Sequence, residues 1–397
     1  FTAYENQGGI LSAAGLTNPV AQILPPQGQF ALTASQLFGE GLNTDGSWIH
    51  ASSGSSNLAG IFLSFDPELK TLDGADLSGR FLPSMIFPEV RDAEISLVNP
   101  GNAQASVTLR LINDEGNPLA AADLVIPPHA RVAHHPDTLF ASSLPSRGGY
   151  LEVLSDSRLS ALEEIGLPGS WRATLNPVDP YGGARRLYAP QYVAGGGWQS
   201  RVTLVNLENR PTTVNAALFA DDGSLVSQWE PFNLPARGRA VLPGLQGLIA
   251  AQGGSLAQGY LRIDSSAARL SGFVRFGDPA DASFQAVLPL VDRGTTEVLF
   301  PHIASDGVYF TGLAILNPER DPADLTVTVV DPAGAPMASG RLTLAPGARY
   351  SRLISQLLPN LPPLSKGYIL IRSNQPVAAY AVFGTHVLTA VAAIPGQ

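Results

Sequence analysis

Apolar and polar residues alternate along many short stretches of the chain, and this alternation predicts β-strands. Residues 107–112 (Val-Thr-Leu-Arg-Leu-Ile) and 325–330 (Leu-Thr-Val-Thr-Val-Val) show it most clearly. Successive side chains of a strand point to opposite faces, and β-branched residues suit a half-buried sheet surface. Turns rich in Asp and Gly follow these stretches at Asn113–Gly116 and Asp331–Gly334. We therefore expect antiparallel hairpins along most of the chain.

Three landmarks recur along the chain at nearly constant intervals. A strand that ends in Asn recurs at Asn18, Asn99, Asn206 and Asn317, with spacings of 81, 107 and 111 residues. A proline-turn position recurs at Pro25, Pro127, Pro235 and Ala345. An aromatic residue that opens a strand recurs at Trp48, Tyr150, Tyr260 and Tyr368. Several landmarks in a common register predict a tandem repeat.

The repeat predicts four all-β domains, which span residues 1–80, 81–184, 185–294 and 295–397. About seven short strands per hundred residues is the pattern of immunoglobulin-like β-sandwich domains, here in tandem. The last three domains should each open with a strand, near Met85–Val90, Leu187–Val193 and Val298–Ala304. Short apolar stretches predict single helical turns at Leu245–Ala250 and Leu353–Leu358.

The first repeat is shorter than the other three. The chain runs from Pro19 almost at once into Ile23-Leu24-Pro25, whereas the fourth repeat has a full strand–turn–strand before Ala345. This shortfall predicts that the first domain lacks a hairpin and has an unpaired sheet edge or an open groove. Three segments could cover that edge: His386–Pro395 of a neighbouring subunit, the domain's own Phe1–Gln7, or the insert Pro67–Arg80.

The composition narrows the possible classes of protein. Charged residues make up only 14% of the chain, and 40 Gly and 33 Pro favour short strands joined by turns. No apolar run reaches the roughly 18 residues that a membrane-spanning helix needs, so we expect no membrane insertion. The net charge of −9 argues against binding to nucleic acid. The absence of cysteine excludes disulfides, thiolate catalysis and cysteine-ligated metals.

One histidine cluster invites a metal-binding interpretation. His129, His134, His135 and Asp137 lie within nine residues. On a strand, His129 and His135 would share a face, because they are an even number of residues apart. We favour a polar stretch beside the proline turn, since the equivalent positions of the third and fourth repeats carry no histidine.

Glu163 and Glu164 are the only adjacent carboxylates in a predicted strand. Alternation directs their side chains to opposite faces, so they cannot act together as an acid/base pair. Glu163 aligns with core positions of the other repeats, where burial would raise its pKa. We favour the alternative that the strand is bulged or partly open at this position.

Other patterns give no sign of catalysis or of a bound cofactor. The Asp/Gly turns do not match a calcium loop, and Gly195–Gly197 precedes a strand rather than a helix. A Gly-x-Ser-x-Gly elbow is absent from the sequence. The four tryptophans are scattered over different repeat positions, which favours core or interface packing over a sugar-stacking surface. We predict no catalytic residue, no metal site and no cofactor, and therefore a protein that is not an enzyme.

Turn and strand motifs give the chain a family resemblance. The Asn-Pro strand ends, the Asp/Gly turns and the run Arg372–Ala378 followed by Phe383-Gly384 resemble tandem β-sandwich repeats of unknown function in exported bacterial proteins. Such repeats often stand beside adhesion or surface-attachment modules. The resemblance covers most of the chain, best at residues 187–292 and 298–397. It implies the fold and export, but it defines no functional residues.

These observations lead to one principal expectation and two alternatives. We expect a secreted or cell-surface structural protein, a subunit of a surface assembly or filament that is joined by strand complementation. Its partners would be copies of itself or other surface proteins. The first alternative is an adhesin, a cell-adhesion module that binds a glycan or a protein. The second is an accessory region of a larger enzyme.

Overall fold

The structure is a computed structural model that describes residues 1–42, 46–66, 68, 70–77, 80–145, 148–167, 170–242, 244 and 256–397. Strands account for 53% of the structure and helices for 5%, which confirms the predicted all-β fold class. None of the helices in the described residues is long and apolar enough to cross a membrane. The helical turn predicted at Leu245–Ala250 lies outside the described residues.

We call residues 1–80, 81–184, 185–294 and 295–397 segments 1 to 4. Segment 1 contains β1 (Thr2–Glu5), α1 (Ala34–Phe38), β2 (Ser47–His50), β3 (Ile61–Phe65) and β4 (Leu72–Asp76). Segment 2 contains β5 (Leu82–Phe87), β6 (Ala93–Val98), β7 (Ala105–Ile112), β8 (Pro118–Ile126), β9 (Arg131–His134), α2 (Pro136–Phe140), a 3₁₀ turn (Ala141–Ser143), β10 (Tyr150–Leu167) and β11 (Trp171–Leu175).

Segment 3 contains β12 (Arg186–Gly195), β13 (Gln199–Asn206), β14 (Thr212–Phe219), β15 (Leu225–Gln228), β16 (Phe232–Leu234), β17 (Arg239–Leu242), β18 (Leu256–Ser265), β19 (Leu270–Gly277) and β20 (Gln285–Pro289). Segment 4 contains β21 (Thr295–Phe300), β22 (Tyr309–Leu316), β23 (Ala323–Val330), β24 (Pro336–Leu344), β25 (Arg349–Leu353), α3 (Ile354–Leu357), β26 (Tyr368–Thr385) and β27 (Val391–Pro395). The helix α3 confirms the helical turn predicted there.

Two sheets share one long strand in segment 2. The first half of β10 pairs with β5 and β7, and its second half pairs with β6 and β11. Sixteen apolar side chains are buried between the two sheets, including Met85 and Phe87 of β5 and Ile95 and Leu97 of β6. The alternation seen in the sequence explains this core, because every second residue of a strand faces inward. Strand β26 is shared in the same way in segment 4.

The last strands of the four segments meet at a common axis. Strand β4 contacts β11, β11 contacts β20, β20 contacts β27, and β27 returns to contact β4. Small side chains allow this close approach, and the strands contribute the buried residues Ala75, Ala173, Ala286 and Ala392. The contacts form a cycle, so the four segments close into a ring in which the first segment meets the last.

The same junction joins each segment to the next around the ring. A glycine in a tight turn of one segment packs against the proline turn of the following one. The pairs are Gly8 with Pro128, Gly116 with Ala236, Gly223 with Gly347, and Gly334 with Gln27. At Gly116, φ is +85° and an added Cβ would lie 2.1 Å from the Ala236 carbonyl oxygen, so this turn requires glycine.

Two further hydrogen bonds recur at these junctions. A backbone amide just after each proline turn donates to a carbonyl oxygen in the Gly turn of the preceding segment. The donors and acceptors are Arg131 and Asn6, Arg239 and Asp114, Arg349 and Asp221, and Gln29 and Pro332. An aromatic side chain donates to the proline turn, from Trp48 to His129, Tyr150 to Arg237 and Tyr368 to Gln27. The junction from segment 4 to segment 1 is therefore built like the others.

Candidate functional site

The candidate site is the pair of open strand edges in segment 1. Strand β2 pairs only with β1, and β3 pairs only with β4, among the described residues. Their counterparts, the two halves of β10, each have strands on both sides. The missing neighbours correspond to β5 and β6, which we call the opening strand pair. Segments 3 and 4 have this pair too, as β12–β13 and β21–β22.

The structure places the shortfall of segment 1 differently from the sequence alignment. Asn18 donates from Nδ2 to the carbonyl oxygens of Ala3 (2.7 Å) and Leu11 (2.9 Å). Asn99 instead donates to the proline turn, at the carbonyl oxygens of Ile126 and Pro127. The alignment of Asn18 with Asn99 therefore does not hold. In its described part, segment 1 lacks the opening strand pair, and it has no strand in the places of β8 and β9.

The apolar core of segment 1 is small for the same reason. Only Ala3, Leu11 and Phe38 are buried in its local cluster, against sixteen residues in segment 2. Nineteen large apolar side chains are exposed among the described residues, and nine of them lie in this fifth of the chain. These nine are Ile10, Ile23, Leu24, Phe30, Leu32, Ile49, Leu58, Phe65 and Leu77. A concentration of exposed apolar side chains is characteristic of an interaction surface.

The structure shows where each of the three stretches lies that could have covered the open edge of the first domain. His386–Pro395 contributes β27, which pairs with β26 of the same chain, so the hypothesis of a C-terminal donor strand is wrong. Phe1–Gln7 supplies β1, the partner of β2 within segment 1. The described part of Pro67–Arg80 forms β4, which lies at the ring axis. In the described structure, the outer edges of β2 and β3 have no strand beside them.

An asparagine clamp fixes the end of each opening strand pair that is present. Nδ2 of Asn99, Asn206 and Asn317 donates to the carbonyl oxygens of Pro127 (3.1 Å), Pro235 (2.7 Å) and Ala345 (3.2 Å) respectively. The backbone amides of these asparagines donate to Ala130, Gly238 and Ala348. The corresponding turn of segment 1 spans residues 25–28. Its Pro25 carbonyl accepts a hydrogen bond from Gly28 (2.9 Å), but no asparagine side chain in the described structure reaches it.

A second contact fixes the link between the two opening strands. Arg239, Arg349 and Gln29 donate to the carbonyl oxygens of Pro88 (2.7 Å), Pro190 (3.1 Å) and Pro301 (3.3 Å), each in the preceding segment. The residue after the proline also accepts from the arginine, at Glu89 (2.5 Å) and Gln191 (2.8 Å). Arg131 occupies the fourth such position. Its guanidinium donates instead to the Ser96 hydroxyl (2.7 Å), and to Glu94 Oε1 and Asn6 Oδ1 (3.5 Å each).

A cleft of about 380 Å³ lies at the boundary of segments 1 and 2. Its walls include His50 at the end of β2, Phe81, the loop 99–103 and Arg158. A stack of rings stands at the same boundary, formed by Trp48, Tyr4 and His129. Because the three rings stack on one another, Trp48 contributes to the packing of this junction. Trp171 also serves a junction, because its Nε1 donates to the Asp281 carbonyl oxygen (2.9 Å).

The histidine cluster is dispersed in the structure. His129 lies in the proline turn with φ +57° rather than on a strand, so it does not share a strand face with His135. It contacts Asn102 Oδ1 at 2.9 Å, while His135 lies 3.4 Å from Glu94. Within the described ranges, no group of three or more His, Asp or Glu residues is placed to hold a metal ion.

Glu163 is fully buried, and it pairs in regular register with Leu175 of β11 on one side and Ile95 of β6 on the other. The favoured alternative of a bulge or a partly open position is therefore wrong. Its burial, and then the nearby charge of Glu89, raise its pKa well above the usual range. The Glu89 amide donates to one oxygen of Glu163 (3.1 Å), and the other oxygen has no hydrogen-bond partner among the described residues. Glu89 in turn pairs with Arg239 (2.5 Å). Sequence reasoning missed Glu89, whose partner lies in the next segment.

A second buried carboxyl group, Asp73, lies at the ring axis. Burial raises the pKa of Asp73 on β4 to about 6, and a hydrogen bond from the Thr174 hydroxyl only partly opposes that shift. Nearby, Asn176 donates to Asp76 (2.5 Å), whose pKa burial also raises. These groups join segment 1 to segment 2 at the axis.

No family model and no curated protein matches the chain. It is similar to the crystal structure of Thermotoga maritima 1070, at 17% identity and a TM-score of 0.23, over 26% of this chain and 94% of that one. It is also similar to a candidate beta-galactosidase from Bacteroides fragilis, at 12% identity and a TM-score of 0.14, over 56% of this chain and 33% of that one. Such low TM-scores carry no argument about this protein.

Proposed function

We propose that this chain is a non-enzymatic structural protein of an extracellular or cell-surface assembly. Its role in that assembly is to receive a pair of β-strands in segment 1. The observation that carries the proposal is the pairing of β2 and β3 on one side only, where both halves of β10 pair on two sides. Each open edge presents backbone donors and acceptors that an added strand can use.

The apolar surface of segment 1 supports the same role. Met85, Phe87, Ile95 and Leu97 help to fill the core of segment 2, and the described residues of segment 1 have no side chains in their place. Burying an apolar side chain stabilises by roughly 1.5–3 kcal/mol, so adding such a strand pair is favourable in side-chain burial as well as in backbone pairing. The last strands of the other three segments meet β4 of segment 1 around the axis.

A synthetic peptide with the sequence of residues 81–102 tests this proposal. It contains the opening strand pair of segment 2 together with its link and its asparagine. We expect it to bind the chain with one-to-one stoichiometry in calorimetry, and to protect amides of β2 and β3 in hydrogen exchange. A scrambled peptide is the control. Absence of binding by the native sequence, or protection elsewhere, would contradict the proposal.

The cleft at the boundary of segments 1 and 2 favours a second candidate function, glycan binding at a cell surface. His50, Phe81, Asn102 and Arg158 combine apolar and hydrogen-bonding groups around one opening, and such a mixture suits a polar ligand with an apolar face. A glycan array probed with the chain and with Arg158→Ala tests it. Signals that disappear in the variant support the candidate, and an array without signals refutes it.

A further inference from the structure

We infer that the chain associates with copies of itself through the outer strands of segments 2 and 4, so that β8 of one copy pairs with β24 of the next. The partner is a second copy of this chain, and repetition of the contact produces a linear array. This contact adds to the strand acceptor proposed in segment 1 and is independent of it. It follows from the pairing, the direction and the charge of the two strands.

Strands β8 and β24 each have one free edge. Among the described residues, β8 pairs only with β7, and β24 pairs only with β23. The path of strand pairing from the ring axis runs through β11, β10 and β7 to β8, and through β27, β26 and β23 to β24. Both strands are nine residues long, and exposed residues alternate with half-buried ones along most of their length. Such an edge presents unpaired backbone donors and acceptors to another strand.

Segments 1 and 3 have no comparable edge in their described parts. In segment 3 the corresponding strand is divided into β15 and β16, and Pro231 between them has no amide hydrogen to donate. Segment 1 has no strand in this place. Segments 2 and 4 each adjoin segments 1 and 3 in the ring, so they lie across the axis from each other. The two free edges therefore belong to opposite sides of the ring.

The two strands run in opposite directions across the ring. Strand β8 begins after the Gly116 turn, at the junction with segment 3, and ends before the Pro128 turn, at the junction with segment 1. Strand β24 begins after the Gly334 turn, at the junction with segment 1, and ends before the Gly347 turn, at the junction with segment 3. A second copy displaced without rotation along the line through segments 2 and 4 thus brings its β24 antiparallel to β8. Each further copy adds by the same displacement, so this head-to-tail contact extends as a filament.

One charged side chain on each strand favours the pairing of β8 with β24 over the pairing of like strands. Asp123 of β8 and Arg341 of β24 are exposed, and each is the sixth residue of its strand. Among the described residues, Arg341 makes no hydrogen bond or ion pair, and Asp123 accepts one hydrogen bond, from Thr108 Oγ1 (2.7 Å). Pairing of β8 with β8, or of β24 with β24, about these positions places like charges opposite each other, which is destabilising. Pairing of β8 with β24 places a carboxylate opposite a guanidinium.

The register that sets Asp123 opposite Arg341 also suits the neighbouring side chains. Because the two residues hold the same position in their strands, side chains of the same sheet face meet across the contact. Val125 of β8 and Met337 of β24 are both exposed large apolar side chains. In this register they lie diagonally across the two strands, at a separation that long side chains can bridge. The contact therefore covers apolar surface as well as pairing backbone groups.

Charge-reversal variants test the contact. Sedimentation velocity over a series of concentrations measures the dissociation constant, and negative-stain electron microscopy shows the form of the oligomers. We expect linear oligomers of the native chain. Asp123→Arg and Arg341→Asp should each weaken association by about tenfold or more, because each sets like charges opposite each other. The double variant exchanges the two charges, keeps the net charge of −9 and should associate within about threefold of the native chain.

Two variants that change the net charge by the same amounts are the matched controls. Glu230→Arg reverses an exposed carboxylate on the divided edge of segment 3, and Arg293→Asp reverses an exposed guanidinium outside the strands. Both should associate as the native chain does, and circular dichroism establishes that all variants are folded. Hydrogen exchange at low and high chain concentration locates the contact. Exchange at β8 and β24 should be slower in the oligomer, while exchange at β2 and β3 should not change.

Four outcomes would overturn the inference. The first is a native chain that stays monomeric throughout the concentration series, and the second is equal association of all the variants. The third is a double variant as weak as the single ones, because Asp123 and Arg341 then do not meet. The fourth is protection of β8 alone, of β24 alone, or of β2 and β3 in the oligomer, because copies then meet through another contact. In each case, binding of the peptide of residues 81–102 to segment 1 still decides the proposed function separately.

Discussion

The hydroxyl of Tyr368, near the end of the chain, donates a 3.0 Å hydrogen bond to the carbonyl oxygen of Gln27, near its beginning. Tyr150 makes the same bond to Arg237 at 2.8 Å between segments 2 and 3. A contact that joins neighbours elsewhere thus also joins the first segment to the last. The ring is closed within one chain, although the described part of segment 1 has fewer strands than the other segments.

The closing bond predicts a measurable loss in a minimal variant. Tyr368→Phe removes the donor and leaves the Gln27 carbonyl without it, which should lower the free energy of unfolding by about 1 kcal/mol. Urea denaturation followed by fluorescence measures this change. Tyr309→Phe is the control, because the Tyr309 hydroxyl makes no hydrogen bond in the described structure and its loss should have little effect. Equal stability of the two variants would show that the Tyr368 bond contributes nothing to ring closure.

The tight junction between segments 2 and 3 predicts a larger effect. Gly116→Ala places a Cβ 2.1 Å from the Ala236 carbonyl oxygen and at φ +85°, so the turn or its neighbour must move. We expect a loss of about 2 kcal/mol or more in the free energy of unfolding. Gly307→Ala is the matched control, because nothing lies within 4 Å of its added Cβ. A Gly116→Ala chain as stable as this control would refute the described junction.

The buried carboxyl group at the ring axis predicts a pH dependence. The pKa of Asp73 is raised to about 6 in the folded chain from 3.8, so folding favours its protonated form. Stability should therefore rise as the pH falls from 7 to 5, by about 1 kcal/mol from this group. Asp73→Asn should be more stable than the native chain at pH 7 and should show a smaller gain over this range. Parallel pH profiles of the two chains would contradict the assignment.

The strands were predictable from sequence because their cause is local. Alternation within β7 and β23 and the Asp/Gly turns after them identify hairpins without knowledge of the fold. The buried position of Glu163 was one of two alternatives that its alignment left open. Its ladder is regular, so the expected bulge did not form, and Glu89 and Arg239 lie close enough to interact with it.

The open site was only partly predictable. An incomplete first domain with an open edge follows from the spacing of the landmarks, but Asn18 was matched to Asn99 on a shared Asn-Pro dipeptide. That dipeptide does not specify its partners, and in the structure Asn18 binds Ala3 and Leu11. Ring closure was not predictable either. The partners at each junction lie far apart in sequence, as Gly334 and Gln27 do, and local patterns carry no information about which turns meet.

Hydrogen–deuterium exchange of segment 1, with and without the peptide of residues 81–102, tests the central claim most directly. In the free chain, backbone amides of β2 and β3 that point away from β1 and β4 should exchange much faster than the equivalent amides of β10, because they lack a strand partner. Adding the peptide should slow them and leave β10 unchanged. Slow exchange of these amides in the free chain, or no change on adding the peptide, would contradict the account of segment 1 as an open acceptor of strands.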